Sequence, residues 1–395
     1  MKSDFLFTSE SVTDGHPDRL CDSISDAVVD RFLQKDPYSR IVAECALSKN
    51  VLFLAARFAT NANVDIPEVA RTVMSEAGYH EEDFDAANCS VLTSLITMRA
   101  DQRAHADERD LGDAELDQLT VHSQVSVFGY ACTQTPDLMP LPISLANRLA
   151  AALSKARKAR PLGFLSPDCT VQVGVGYQNG VPARIAGITI IAGSVTREAI
   201  DPAELRARLL NEVIEPLFAD DPIPLDESTE IHINPRGVFP KSGPASHSGM
   251  TGRKTAADTY GAYARHNGSA LSGKDPSRID RVGVYMARYA AKNVVAAGLA
   301  QECEVQLSYA IGHAGPVSLQ VQTFGTGTLD DGAIAERLRQ CFDFRLGVII
   351  RDFNLRHLPS QCKPGFYQQL PIQGHLGASS LKLPWEMTDR ATLLK

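Results

Sequence analysis

The segment Ile41–Ala59, IVAECALSKNVLFLAARFA, joins two apolar runs through a short polar turn. The runs Ile41–Leu47 and Val51–Ala59 have the length and apolar content of strands. Ser48-Lys49-Asn50, between them, is typical of a tight turn. The segment therefore predicts a β-hairpin.

Helices are predicted on both sides of this hairpin. The first begins near Pro17 and carries an apolar stripe at helical spacing, formed by Leu20, Ile24, Val28 and Phe32. The second follows Asp65, a favourable N-cap residue, and has Pro67 in its first turn. The predicted order is therefore helix, hairpin, helix.

The same order returns twice, with hairpins that begin near residues 41, 170 and 304. The second unit is predicted as helix Ser144–Lys158, strands Thr170–Tyr177 and Ala183–Ala192 around Asn179-Gly180, and helix Ala203–Leu217. The third is predicted as helix Val282–Ala297, strands Glu304–Ile311 and Val317–Phe324, and helix Ala333–Cys341. We expect an α+β fold of three similar sheet-plus-helix domains in a pseudo-threefold arrangement.

The recurrence also predicts the domain boundaries. We expect domains at 1–130, 131–240 and 241–395, with segments that interleave between them and with phosphate-binding loops in the third. The stretch 97–121 is polar, dense in charge and without a helical stripe. It is predicted to be a mobile loop that closes over a site.

Composition limits the classes of function. The chain has 395 residues, of which 44% are hydrophobic and 22% charged, as in ordinary soluble proteins. A net charge of −8 argues against a broad nucleic-acid surface. The eight cysteines are scattered without a C-x-x-C pair, which predicts reduced thiols. Without a signal peptide or an apolar run of membrane-spanning length, we expect a cytoplasmic protein with small-molecule partners, no nucleic acid and no membrane.

The segment 242–281, SGPASHSGMTGRKTAADTYGAYARHNGSALSGKDPSRIDR, is rich in glycine and in cationic side chains. Glycine lets backbone N–H groups approach an anion closely, and Arg253-Lys254 and Lys274 supply charge and donors for phosphate oxygens. Asp275 and Asp280 provide the carboxylates that Mg²⁺ prefers. The segment predicts a site for polyphosphate and magnesium, with a solvated loop as the alternative.

A second phosphate element is predicted at Gly15-His16-Pro17-Asp18-Arg19, where the first helix begins. Helix N-termini favour anions through their free N–H groups and the helix dipole. His16 can donate to a phosphate oxygen and Asp18 can hold a metal ion. The alternative is a plain helix cap with Pro17 in the first turn.

The segments FTSESVTDGHPDR, SGMTGRK and GSALSGKDPSRIDR together resemble the S-adenosylmethionine synthetase (methionine adenosyltransferase) family. The segments YAIGHAGP, TFGTG, ARYAAKNVVAAGLA and PWEMTDRATLLK extend this resemblance over nearly the whole chain. The resemblance implies three similar α+β domains, a homodimer or dimer of dimers with active sites between subunits, and the cofactors Mg²⁺ and K⁺. It also implies adenosyl transfer from ATP to the methionine sulfur, with release of triphosphate that is then hydrolysed to diphosphate and phosphate.

The resemblance assigns roles to individual residues of the nucleotide side. His16, Arg253 and Lys274 are the implied catalytic residues, with His16 near the C5′–O bond that breaks. The other implied roles are magnesium binding by Asp18 and Asp280, phosphate binding by Lys254, potassium binding by Glu44, adenine contacts by Phe239 and Asp168, and phosphate contacts by Arg19 and Arg278, which replace two lysines of the family.

The acceptor side departs from the family pattern. The family's Gly-Gly-Glu, whose carboxylate holds the methionine ammonium, is replaced by Ala55-Ala56-Arg57. Replacing Glu by Arg turns attraction of an ammonium into repulsion, on the order of several kcal/mol for a partly buried contact. The other replaced positions are Met98 for Gln, Ser123 and His247 for Asp, Thr170 for Lys, and His313 for Val.

These departures leave several functions open. The first is S-adenosylmethionine synthesis with a remodelled pocket, in which other residues compensate. The second is adenosyl transfer to another acceptor, with Arg57 binding an anionic group and His122, His247 or His313 acting as a base. The remaining alternatives are hydrolysis of ATP or tripolyphosphate by water and a non-catalytic regulatory subunit.

Overall fold

The computed structural model describes residues 4–80, 84–159, 161–195, 200–219, 221–237, 242–377 and 381–395. The strands are β1 Phe5–Val12, β2 Arg40–Ser48, β3 Val51–Ala59, β4 Ser90–Thr97, β5 Val125–Cys132, β6 Leu165–Gln178, β7 Val181–Ser194, β8 Glu230–Ile233, β9 Gly249–Met250, β10 Glu302–Tyr309 and β11 Ser318–Gln322. The helices are α1 Pro17–Lys35, α2 Ile66–Glu76, α3 Asp113–Leu116, α4 Leu141–Lys158, α5 Pro202–Leu209, α6 Glu215–Phe218, α7 Thr255–Asp258, α8 Ile279–Ala296, α9 Asp331–Cys341, α10 Leu346–Asp352, α11 Leu358–Gln361 and α12 Leu370–Gln373.

Three sheets carry the fold, and each packs against one long helix. Their strand orders are β4-β3-β2-β9, β1-β6-β7-β8 and β11-β10-β5. The helix α1 packs on the first sheet, α4 on the second and α8 on the third. The predicted α+β class with three sheet-plus-helix units is therefore confirmed.

The three predicted hairpins form as β2–β3, β6–β7 and β10–β11, each antiparallel. In the first two units a helical segment crosses from the hairpin to a parallel strand, so that β3 pairs with β4 and β7 with β8. The helix expected from Ser144 begins at Leu141, with a proline in its first turn. The helix expected over Ala203–Leu217 forms as α5 and α6 joined by a π-helical turn at Leu210–Ile214.

Five strands were not expected from the sequence: β1, β4, β5, β8 and β9. Three of them pair with strands far away in the chain: β1 with β6, β5 with β10 and β9 with β2. Each sheet thus contains strands that are distant in sequence. Such pairings have no local signal, since only the partner strand decides whether an extended segment becomes part of a sheet.

The stretch 97–121 contains three short helical turns and is tied to the rest of the protein by ion pairs. Arg103 pairs with Asp36 at 2.5 Å, and Arg356 holds Glu108 through two hydrogen bonds of 2.7 and 2.6 Å. That this stretch moves as a lid stays a prediction.

No helix in the described ranges combines the length and apolar character needed to cross a bilayer.

Candidate active site

His16 is the N-cap of α1, as expected, and its ring faces inward. Its Nδ1 accepts a hydrogen bond from the Asp18 N–H at 3.2 Å, so the neutral ring carries its proton on Nε2. Only 8% of His16 is exposed, and burial lowers the pKa of His16 from 6.5 to about 4. At neutral pH the ring is therefore uncharged, with Nε2–H as a donor for an anionic ligand.

Asp18 connects two predicted phosphate elements that lie more than 200 positions apart in the sequence. Its Oδ2 lies 2.7 Å from Lys254 Nζ, its Oδ1 lies 3.6 Å from Arg253 Nη1, and Oδ1 also accepts the Met250 N–H at 3.0 Å. Burial alone would raise the pKa of Asp18, but the hydrogen bond and charge of Lys254 outweigh it and lower the pKa. The structure thus places one charged carboxylate, two cations and a neutral imidazole side by side.

Asp168 and His247 form a hydrogen-bonded pair beside this group. His247 Nε2 lies 2.7 Å from Asp168 Oδ2, which also accepts the Gly243 N–H at 2.8 Å. The hydrogen bond to Asp168 raises the pKa of His247. The His16 and His247 rings have centroids 5.1 Å apart.

The side chains of His16, Asp168 and His247 each offer a ligand atom, and these atoms lie within 4.8 Å of one another. In the described part of the chain this is the one group of three or more such residues close enough to share a metal ion. The lone pair of His16, however, is used by the Asp18 N–H. We therefore interpret the group as a hydrogen-bonding set rather than as a metal centre.

Arg19 is turned into the protein. It is 1% exposed, its Nη1 contacts Asp258 Oδ1, and it lies 3.7 Å from Asp22 Oδ2. To contact a phosphate, the Arg19 side chain would have to leave Asp258 and Asp22 and become exposed. Binding of phosphate by Arg19 stays a prediction.

Lys274 and Asp280 form the second half of the predicted cradle. Lys274 Nζ contacts Asp280 Oδ2, and the backbone of Lys274 forms a β-bridge with Val42 on β2. Gly273 has φ +79°, and a Cβ there would lie 2.0 Å from the Ala43 carbonyl oxygen, so glycine is required. Arg278 is half-buried nearby, and its Nε has no hydrogen-bond partner among the described residues.

The two halves of the cradle lie apart along β2. Met250, which binds Asp18, pairs with Ala46, whereas Lys274 pairs with Val42. Four residues of strand separate these points by about 13 Å. The chain therefore presents two half-sites, one around Asp18 and one around Lys274.

Glu44 lies on β2 between these points, is exposed and faces Ala55 of β3. Its carboxylate forms no ion pair with any described residue. Potassium binding by Glu44 stays a prediction. Phe239, the predicted adenine contact, lies outside the described residues.

Five of the replaced acceptor-side positions lie in three places. Arg57 lies on the exposed face of β3, and Met98, just after β4, donates its N–H to the Phe58 carbonyl at 2.8 Å. Ser123 precedes β5 in the segment that pairs with the His313 loop, where the Val121 N–H binds the His313 carbonyl at 2.9 Å. His247 instead lies with Asp168, in the other half-site.

A row of buried carboxylates on α1 was not expected from the sequence. Asp22, Asp26 and Asp30 follow Asp18 at intervals of four residues, so they share one helix face. Each accepts backbone N–H groups of a distant loop: Asp22 from Gly252, Asp26 from Gly273, and Asp30 from Tyr367 and Gln368. The interval of four residues between these aspartates is the feature of the sequence from which the row could have been predicted. The row therefore anchors both predicted phosphate loops to one helix.

Comparison with known proteins gives a consistent family. Models of the S-adenosylmethionine synthetase N-terminal, central and C-terminal domains match residues 4–100, 118–239 and 241–387. The proteins named S-adenosylmethionine synthase from Crocosphaera subtropica and Trichormus variabilis are 44% and 45% identical to this chain. Their alignments cover 100% of this chain and 98% and 97% of the relatives.

Proposed function

The chain belongs to the S-adenosylmethionine synthetase family, and we propose that it transfers the adenosyl group of ATP to the sulfur of methionine, forming S-adenosylmethionine. The observation that carries the proposal is the group of His16, Asp18, Arg253 and Lys254 at the N-terminus of α1. This group suits a polyphosphate in charge and in hydrogen-bond donors.

The reaction needs charge stabilisation more than a base. A lone pair of the thioether sulfur forms the S–C5′ bond, and the C5′–O bond breaks with its electron pair leaving on the triphosphate. The sulfur has no proton to lose, so the product is a sulfonium ion. The developing negative charge lies on the phosphate chain, where Lys254, Arg253 and the His16 Nε2–H would stabilise it.

We assign Mg²⁺ to Asp18 and Asp280 and K⁺ to Glu44. Carboxylate oxygens are the ligands that Mg²⁺ prefers, and both aspartates lie beside a lysine of the cradle. Glu44 offers a carboxylate without a partner among the described residues. When bound, Mg²⁺ would neutralise phosphate charge.

We also propose a homodimer, or a dimer of dimers, in which each active site uses half-sites of two subunits. Two observations support this assembly. The half-sites are about 13 Å apart within one chain. The outward face of β3 and β4 exposes several large apolar side chains, and such patches are typical of protein interfaces. The exposed fractions are 44% for Val51, 48% for Phe53, 56% for Leu92 and 61% for Ile96.

A second candidate is adenosyl transfer to an acceptor other than methionine. The observation that favours it is Arg57, an exposed cation on the sheet face where the family has its ammonium-binding glutamate. The phosphate chemistry is the same in both candidates, and only the acceptor differs.

The test is product analysis with ATP, Mg²⁺ and methionine. We expect triphosphate, or diphosphate plus phosphate, in phosphorus NMR and S-adenosylmethionine by mass analysis; release of ADP would reject attack at C5′. Asp18→Asn and Lys254→Ala should each lower kcat about 10²–10³-fold, as for loss of a group that stabilises transition-state charge. Lys155→Ala, an exposed lysine of α4, is the matched control and should leave kcat unchanged.

A further inference from the structure

Cationic side chains gather at one end of the first sheet. Arg57 on β3 lies opposite Val42, and Arg40 lies two residues further along β2. Side chains alternate along a strand, so Arg40 and Arg57 share the outward face, as diagonal neighbours with Cα atoms about 7–8 Å apart.

His122 and Arg278 extend this group. Arg40 Nη1 lies 3.2 Å from His122 Nε2. Burial lowers the pKa of His122, and the positive charges of Arg40 and Arg278 lower it further. Arg40, His122 and Arg278 therefore interact, and Arg57 lies beside them by its position on the neighbouring strand. We call these four residues the cation cluster.

Two donors of the cluster are left unused. The Nε atoms of Arg40 and Arg278 are buried, and neither has a hydrogen-bond partner among the described residues. A buried donor without a partner costs about 1–3 kcal/mol. A bound acid group toward which both guanidinium groups reorient would give these donors acceptor oxygens.

Carboxylates near the cluster offset part of its charge, since Asp275 acts on Arg40 and His122 and Glu108 acts on Arg40. Asp275 is fully buried, and its oxygens accept the N–H groups of Ile41 and Ser277, both at 2.7 Å. Glu108 is held by Arg356 through two hydrogen bonds. Glu44, on the same sheet face as Arg57, forms no ion pair in the described structure. With Glu108 paired to Arg356, the three arginines of the cluster face two carboxylates, Asp275 and Glu44, so one formal positive charge is left over.

We propose that the cation cluster binds the acid group of the acceptor, and that the acceptor class is a thioether carboxylic acid that needs no ammonium group. The proposal rests on the proposed adenosyl transfer and names its substrate class. The acid group anchors one end of the acceptor, while the sulfur attacks C5′ and the electron pair of the C5′–O bond leaves with the triphosphate. The replacement of the family's glutamate by Arg57 then has a chemical reason, since an ammonium beside Arg57 would be repelled.

The test compares three thioethers with the purified full-length protein, ATP and Mg²⁺. These are methionine, its desamino analogue 4-(methylthio)butanoate, which keeps the carboxylate, and methionine methyl ester, which keeps the ammonium. Adenosyl products are quantified by mass analysis. We expect kcat/KM for the desamino analogue to be at least equal to that for methionine, and the methyl ester to be at least tenfold poorer.

Two variants of Arg57 test the cluster itself. Arg57→Gln should lower kcat/KM for the desamino analogue at least tenfold, and Arg57→Glu should reverse the preference in favour of the methyl ester. Arg184→Glu, an exposed arginine on β7, is the matched control and should keep the wild-type preference. Melting temperatures equal to that of the wild type would establish that the variants are folded.

The outcomes separate the two proposals. If methionine and its methyl ester are used but the desamino analogue is not, the acid-group inference is wrong and adenosyl transfer stands. An unchanged preference in Arg57→Glu would also overturn the inference. If none of the three thioethers yields an adenosyl product, the proposed function itself fails.

Discussion

Arg281 and Asp26 form a fully buried ion pair, in which Nη1 and Nη2 of Arg281 lie 2.6 and 3.1 Å from the two carboxylate oxygens of Asp26. Both side chains are 0% exposed. Asp26 also accepts the Gly273 N–H, and Arg281 donates to the Lys274 carbonyl at 2.8 Å. The pair therefore connects α1, α8 and the loop that carries Lys274.

Asp26→Asn should destabilise the protein strongly. The variant leaves the Arg281 charge buried without its partner, which typically costs about 3–5 kcal/mol. The measurement is the free energy of unfolding by urea denaturation. Glu336→Gln is the control, because Glu336 and Arg339 form a half-exposed pair at 3.2 Å, and its loss should cost less than about 1 kcal/mol. Equal effects of the two variants would contradict the structural role of Asp26.

His16 should make stability depend on pH between about 6.5 and 4. Its folded-state pKa of about 4 lies below the unfolded value of 6.5, so in this range the unfolded state binds the proton more readily. The stabilisation is complete above pH 6.5 and is lost as pH falls through this window, by about 3 kcal/mol in all.

The measurement is the free energy of unfolding of the wild type and of His16→Asn from pH 7.5 to 4.5. We expect the wild type to lose more stability on acidification than the variant, since both share every other histidine. If the free energy of unfolding falls equally with pH in the two proteins, the pKa of His16 is not lowered in the folded state.

Gly273→Ala should disturb the half-site around Lys274. The backbone there has φ +79°, and the added Cβ would lie 2.0 Å from the Ala43 carbonyl oxygen. The loop must therefore move, and we expect a lower melting temperature and at least tenfold weaker binding of tripolyphosphate by calorimetry. Gly268→Ala is the matched control, because a Cβ at Gly268 meets nothing within 4 Å. Wild-type binding by Gly273→Ala would rule out this loop as part of the phosphate site.

Ile96→Glu should weaken the proposed dimer. Ile96 is 61% exposed on the outward face of the first sheet, and a charge there would have to be desolvated in an interface. Sedimentation velocity should show a shift toward monomer, together with lower activity because each site of the proposed dimer uses residues of both subunits. Val181→Glu, at an equally exposed position of the β6–β7 hairpin, should keep the wild-type mass. A monomeric wild type would refute the assembly.

The hairpins and long helices could be predicted because their signals are local. The stripe of Leu20, Ile24 and Val28 on α1 is fully buried, as its helical period requires. The turn at Asn179-Gly180 likewise has positive φ at both residues, which favours Asn and Gly. The strands β1 and β5 were not predicted, because each belongs to a sheet whose other strands lie far away in the chain.

The sequence by itself determined the secondary-structure units and the chemical types of the predicted phosphate-binding segments, since periodicity, turn residues and clustered charge are properties of neighbouring residues. Only the tertiary structure decided which of these segments meet. Packing of α1 against β2 and β9 brings Asp18 to Lys254, and it leaves Lys274 with Asp280 at another point of the same strand. The same packing buries Arg19 against Asp258, because contacts across more than 200 residues depend on how whole elements fit together and not on the residues beside them in the chain.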